Sequence, residues 1–246
     1  MKLSVVIPAY NEEDNIKSGV LDEVYSYLKK QKYDWELLIV DDKSKDNTVK
    51  LVEDFKKGKK NMRLLKEPHR GKGGTVIAGM LAAKGEIVLF TDMDQATPID
   101  QIEKFFPKFK KGFDGVIGSR QGRKGAPLIR KLMAWGFATL RNVILGLPYK
   151  DTQCGFKAFK NDAAKEIFKK MEVFNNKRSI EGAAVNAGFD LEMLYIARKL
   201  GYKVAEVPVT WQHKGTERVS LVKDSIEGFL DLLRVRINSL RGKYGV

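Results

Sequence analysis

The chain has 246 residues, 43% of them hydrophobic and 10% aromatic, which is enough for one sizeable core and near the upper size of a single domain. Its 45 Lys and Arg against 31 Asp and Glu leave a formal charge of +14, which draws the protein toward polyanions. The single cysteine, Cys154, excludes an internal disulfide and a cysteine-based zinc site, and two histidines as far apart as His69 and His213 do not make a zinc site. Met1 and Lys2 run straight into an apolar stretch without the pattern of a secretory signal, so the cytosolic side is the expectation.

In chain order, the apolar runs Leu3 to Ile7, Leu37 to Val40, Ile87 to Phe90 and Val116 to Ile117 are short and unalternated, as in strands buried on both faces of a parallel sheet. Helical periodicity fills the gaps at Asn15 to Leu28, Thr48 to Phe55, Gly74 to Lys84 and Ile99 to Phe109. The first half therefore predicts repeated β-α units and an open, mostly parallel α/β sheet flanked by helices. Pro127 to Leu147 has the length of a membrane span, but Arg130, Lys131 and Arg141 make insertion costly, so it is expected as an interfacial or core helix. A helix from Leu191 to Leu200, a strand from Val204 to Val209 and an amphipathic helix from about Leu221 to Leu240 complete the chain.

In open α/β sheets ligands bind beyond the carboxyl ends of the strands. Here those ends carry Pro8-Ala9-Tyr10-Asn11-Glu12, then Asp41-Asp42, then Thr91-Asp92-Met93-Asp94. Helix capping explains one carboxylate per loop, as for Asp46 before Thr48, but not pairs. A D-x-D pair after a buried strand lets two carboxylates approach a hard divalent cation, Mg²⁺ or Mn²⁺, that also bridges a diphosphate. Gly71-Lys72-Gly73-Gly74-Thr75 lacks the spacing of a P-loop and is expected as a turn into a helix that brushes the nucleotide.

The order of these motifs resembles the inverting GT-A glycosyltransferases over roughly residues 3 to 120. The resemblance implies a GT-A, Rossmann-like single domain, with Pro8, Ala9, Tyr10, Glu12, Asp41, Asp42, Gly71, Lys72, Asp92 and Met93 around a nucleotide sugar. It also implies Asp92 and Asp94 at the metal, Asp94 reaching the diphosphate. Some relatives carry a further Gln ligand where this chain has Ala96, with Gln95 displaced by one. Further on, Gly118-Ser119-Arg120, the run Asp151-Thr-Gln-Cys-Gly-Phe-Lys157, Phe189-Asp190-Leu191-Glu192 and Glu206-Val-Pro-Val209 with Trp211 are similar to the polyprenyl phosphate sugar synthases, the dolichyl phosphate β-glucosyltransferase branch above all.

What this implies is inverting transfer of a hexose, glucose from UDP-glucose, to the phosphate of a polyprenyl (dolichyl) phosphate. The expected layout is a catalytic domain over 1–214, with a nucleotide-sugar half at 1–120 and an acceptor half at 121–214, and a helical extension over 215–246. A phosphate acceptor is already anionic and needs no base, so positioning and charge neutralisation carry the rate. Arg120 is the first candidate to hold that phosphate, because a guanidinium binds it bidentately, with Arg130, Arg218 and Lys157 next. Asp190 and Glu192 either serve as a base for a hydroxyl acceptor or cap the helix that follows. A soluble or hydroxyl-bearing acceptor, and GDP-mannose or UDP-N-acetylglucosamine as donor, remain open. Nucleic acid is not expected as a partner, because the basic residues are spread out and no RNP or zinc-finger pattern occurs. No G-x-G-x-x-G follows the first strand, which argues against a dinucleotide oxidoreductase. The two amphipathic segments, at 127–147 and 221–240, predict peripheral docking on the cytoplasmic side of a membrane.

Overall fold

The computed structural model describes residues 2–120, 128–173, 187–212 and 221–246. Its strands are β1 (Lys2–Ala9), β2 (Asp34–Asp41), β3 (Met62–Lys66), β4 (Ile87–Phe90), β5 (Gly115–Arg120), β6 (Lys157–Lys160) and β7 (Val204–Val209). They form one sheet in the order β3-β2-β1-β4-β6-β5-β7, parallel throughout except that β6 runs against both β4 and β5. The helices are α1 (Glu13–Lys17), α2 (Val20–Lys29), α3 (Thr48–Lys56), α4 (Gly71–Ala82), α5 (Phe106–Lys110), α6 (Leu128–Leu145), α7 (Asn161–Lys169), α8 (Ala187–Lys199) and α9 (Leu221–Leu240).

Successive residues of β1 alternate between two apolar cores, one on each face. Val6 joins Val40, Val76, Met80 and Leu194, while Val5 and Ile7 join Leu21, Val24, Leu37 and Ile102. This two-sided burial is why the strands read as unbroken apolar runs. α4 lies so close to the sheet that a Cβ on Gly79 would stand 2.3 Å from Val6 Cγ1, so glycine is required by contact. α9 shares the same core as α4, α7 and α8 through Leu232 and Val235, both fully buried.

Three departures from the sequence reading have local causes. The helix expected over 15–28 breaks at Gly19, whose φ of +91° ends α1 and starts α2. The expected helix over 99–109 divides into a 3-10 turn at Ile99–Lys104 and α5, with Pro107 in the first turn of α5. Strands β3 and β6 and helix α7 were not anticipated, because Met62–Lys66 and Lys157–Lys160 are short and carry charges at their ends.

The topology gathers the site. Ala9 pairs with Asp41, and Asp42 N–H donates to the Ala9 carbonyl at 2.9 Å, so β1 and β2 end together. Because β6 is antiparallel, its first residue Lys157 pairs with the last residue of β4, Phe90. The motif Asp151–Lys157 therefore enters the rim where Asp92-Met93-Asp94 begins.

Candidate active site

At the end of β1, Asn11 takes φ +54°, a conformation that Asn tolerates through local hydrogen bonding. Its N–H donates to Ser44 Oγ at 3.0 Å, its Oδ1 accepts from Lys45 N at 2.8 Å, and Glu12 N–H donates to Thr48 Oγ1 at 2.7 Å. The loops after β1 and β2 are thereby tied into one wall. Pro8 and Ala9 are still in strand register with Val40 and Asp41, and Glu12 accepts from Asn15 Nδ2 at 2.5 Å. Tyr10 stacks on His69, with ring centroids 4.5 Å apart and 20° between planes. That pair forms an aromatic surface on the wall where a nucleobase is expected.

Both carboxylates after β2 are buried and occupied. Asp41 accepts from Ser44 N at 3.2 and 3.3 Å. Asp42 accepts from Arg70 N at 2.7 Å and Gly71 N at 2.9 Å, and its Oδ2 lies 2.9 Å from His69 Nδ1. Gly71 has φ +74° and opens α4, so Asp42 anchors the amino end of that helix, where a negative charge complements the dipole. Asp42, expected at the nucleoside, holds the 69–71 turn and the His69 ring of the Tyr10–His69 stack.

The D-x-D segment follows β4. Asp92 Oδ1 lies 2.5 Å from Lys72 Nζ, on the first turn of α4, and a Cβ on Gly155 would meet Asp92 Oδ2 at 2.0 Å. Asp94 Oδ1 accepts from Ala96 N at 2.9 Å. Met93 is buried in the core, so only its backbone can face a ligand. Gln95, with φ +48°, turns inward and donates to the Asp92 carbonyl at 2.8 Å, away from a ligand role. Among the described residues no cluster of three or more His, Cys, Asp or Glu side chains forms a protein-only metal cage. Two hard carboxylates fit a divalent cation that takes its other ligands from phosphate oxygens and water, as Mg²⁺ and Mn²⁺ do.

A charge cluster backs this pair. Lys157 has no exposed surface; its ammonium contacts Asp190 Oδ1 at 2.6 Å, donates to the Cys154 carbonyl and lies 5.4 Å from the Phe90 ring centroid. Burial pushes the Asp190 carboxyl above the usual range, against the pull of Lys157 and Lys72, while Asp92 adds to the rise. Burial works against the charge on Lys72, yet Asp92, then Asp190 and Asp94, hold its pKa above the ordinary value. Lys157, expected at an acceptor phosphate, has no exposed surface here and is paired with Asp190. Sequence reasoning missed this pair, which spans 33 residues, although the antiparallel turn of β6 is what creates it.

Arg120, at the end of β5, forms a fork with Asp151: Nε to Oδ2 at 2.7 Å and Nη2 to Oδ1 at 2.9 Å. Glu206 in turn fixes the backbone of Lys150 and Asp151 at 2.9 and 2.8 Å, and the guanidinium lies 5.7 Å from the Trp211 ring centroid. Burial opposes the charge on Asp151, but Arg120 holds its carboxyl below the usual range. Arg141, in the segment expected as an interfacial or core helix, is buried and donates to the Leu147 and Tyr149 carbonyls and to Thr152 Oγ1. It staples the loop that carries Asp151. Glu192 is fully buried and accepts from the N–H groups of Glu172 and Val173 at 2.9 and 2.8 Å, a structural task rather than a base's. The side chain of Arg130, together with Arg218, His213 and the segment 181–184, lies outside the described residues.

The site can thus hold a nucleoside diphosphate between the Tyr10–His69 wall, the start of α4 and the D-x-D carboxylates, with Arg120 at the far side of the rim. Residues 4–168 match the profile of Glycosyl transferase family 2. Dolichyl-phosphate beta-glucosyltransferase of Dictyostelium discoideum is 34% identical over 258 residues, covering 98% of this chain and 75% of that protein. The protein of the same name from Homo sapiens is 32% identical, covering 99% of this chain and 77% of its own. In fold, the chain is similar to the glucosyl-3-phosphoglycerate synthase of Mycobacterium tuberculosis, solved with Mn²⁺ and UDP, at 21% identity and a TM-score of 0.63 over 95% of this chain and 79% of that one. The expected GT-A architecture is therefore the one observed, and the chain is a glycosyltransferase that belongs to Glycosyl transferase family 2.

Proposed function

We propose that this enzyme transfers glucose from UDP-glucose, with inversion, to the phosphate of a polyprenyl phosphate of the dolichyl type, at the cytoplasmic side of a membrane. The observation that carries the reading is the convergence of Asp92, Asp94, Lys72 and the Lys157–Asp190 pair at the carboxyl ends of β4 and β1, opposite the Arg120–Asp151 fork. The relatives named above support the sugar and the acceptor.

In this reading Tyr10 and His69 flank the base, Pro8, Ala9 and Glu12 form the loop around the nucleoside, and Asp41 and Asp42 keep that loop and the Gly71–Lys72 turn in place. A bound Mg²⁺ or Mn²⁺ would neutralise charge growing on the leaving diphosphate, with Asp92 and Asp94 as its protein ligands. Lys72 adds a fixed positive charge beside them. Arg120, with Arg130 and Arg218 as further candidates, orients the acceptor phosphate, whose oxygen is already anionic. Asp190, held by Lys157, positions the donor sugar and needs to remove no proton.

Calorimetric titration with UDP-glucose, UDP-N-acetylglucosamine and GDP-mannose in the presence of Mn²⁺ checks the donor. UDP-glucose is expected to bind at least about tenfold tighter than either competitor, because a site built to hydrogen-bond one sugar leaves polar groups unpaired with another. Equal or tighter binding of GDP-mannose overturns the donor assignment.

A further inference from the structure

We infer that α9 presents a second apolar face, distinct from the one buried in the core, and that this face docks on an anionic lipid bilayer. The inference deepens the functional reading, which requires the enzyme at a membrane but does not say which surface meets it.

The inner face of α9 is settled by packing. Leu232 and Val235 are fully buried, Gly228 abuts Phe137 of α6, and Asp231 accepts from Gly188 N at 3.1 Å. An amphipathic helix that has satisfied its core on one side ordinarily turns charge to the other. Here Phe229, Leu230, Ile237 and Leu240 are 40%, 42%, 44% and 71% exposed. At 3.6 residues per turn, Leu230, half-buried Leu233, Ile237 and Leu240 fall within an arc of about 80°, roughly opposite the buried face. Arg236 borders that arc on one side and Arg234 and Arg241 on the other; the Arg241 N–H to Ile237 carbonyl bond of 3.0 Å carries the helical turn that far. Among the described side chains of α9, the exposed carboxylate Glu227 lies beyond Arg234 and outside the stripe. α6, which packs on α9, adds Leu140 at 45% and Val143 at 78% exposure.

Arg234 is paired with Asp231 at 2.8 Å, which leaves Arg236 on one side of the apolar stripe and Arg241 on the other; such a stripe matches a bilayer surface, where acyl chains receive the leucines and anionic headgroups the guanidinium groups. A second copy of the chain fits poorly, since each copy carries +14 and neither stripe offers carboxylates to the other's arginines. No helix among the described residues is long and apolar enough to cross a membrane. The inner faces of both helices support the site. Asp231 fixes Gly188 at the start of α8, two residues before Asp190, and α6 holds the Asp151 loop through Arg141.

The test is vesicle flotation of the full chain, using phosphatidylcholine with phosphatidylserine against phosphatidylcholine alone. Wild type is expected to float with the anionic vesicles, and Leu230→Glu/Ile237→Glu/Leu240→Glu to lose at least about tenfold in binding. Arg236→Glu/Arg241→Glu is expected to lose about fivefold per arginine on anionic vesicles only. Because these positions are exposed, both variants should keep the wild-type melting temperature and transfer to a short-chain, water-soluble polyprenyl phosphate. Wild type that stays unbound overturns the inference, as does a triple variant that floats like wild type, or one that only converts a dimer to a monomer. Flotation as expected without any glucosyl transfer upholds the docking surface and rejects the enzymatic reading instead.

Discussion

Asp94→Ala is expected to weaken binding of UDP-glucose in Mn²⁺ by at least about 100-fold and to leave transfer barely measurable. The side chain is partly exposed after the end of β4, and it accepts a short-range hydrogen bond from Ala96 N. Its loss therefore removes little packing, and the melting temperature should move by no more than about 2 °C. In the proposed function, what is lost is a carboxylate that would face a divalent cation and a diphosphate, an interaction of several kcal/mol. Lys72 and Asp92 remain paired in the variant, which raises the contrast: the fold persists while metal-dependent affinity goes. Titration with and without Mn²⁺ reads the effect, and equal affinity for the variant and wild type contradicts the metal assignment.

Arg120→Lys is the second large effect, and it falls on the acceptor. The guanidinium holds Asp151 through two separate nitrogens while stacked near Trp211, a geometry that a compact ammonium cannot reproduce. A lysine that keeps Asp151 gives up the planar fork, and one that reaches outward leaves a mostly buried carboxylate uncompensated. Removing one such donor at a developing or bound anion costs about 10²- to 10³-fold in turnover. The expected result is a loss of at least about 100-fold in kcat/KM for polyprenyl phosphate, with the affinity for UDP-glucose unchanged within about twofold. Wild-type acceptor kinetics in the variant rule out Arg120 as the phosphate holder.

Much of the donor half was legible because its signals are local. Each continuous apolar strand lies within ten residues of the polar residues at its own carboxyl end, the D-x-D pair included, and the parallel sheet brings those ends together as such sheets do. What stayed hidden depends on partners distant in sequence. The resemblance puts Asp42 at the nucleoside; its hydrogen bonds to the N–H groups of residues 70 and 71 stayed hidden because the β3–α4 connection delivers them. Lys157 looked like a phosphate ligand inside a conspicuous motif, yet the reversal of β6 buries it against Asp190. Arg141 lies in a segment that composition left open between an interfacial and a core helix, and its three acceptors all lie in the loop after α6. In each case residue type announced a charge, and topology decided what that charge meets.

The most direct measurement is the product itself. The full chain, incubated with UDP-[¹⁴C]glucose, Mn²⁺ and dolichyl phosphate in vesicles, is expected to yield a mild-acid-labile lipid carrying β-linked glucose, with an equal amount of UDP released. An anomeric linkage of α configuration contradicts inversion, and the absence of labelled lipid while a soluble acceptor is glucosylated contradicts the account at its centre.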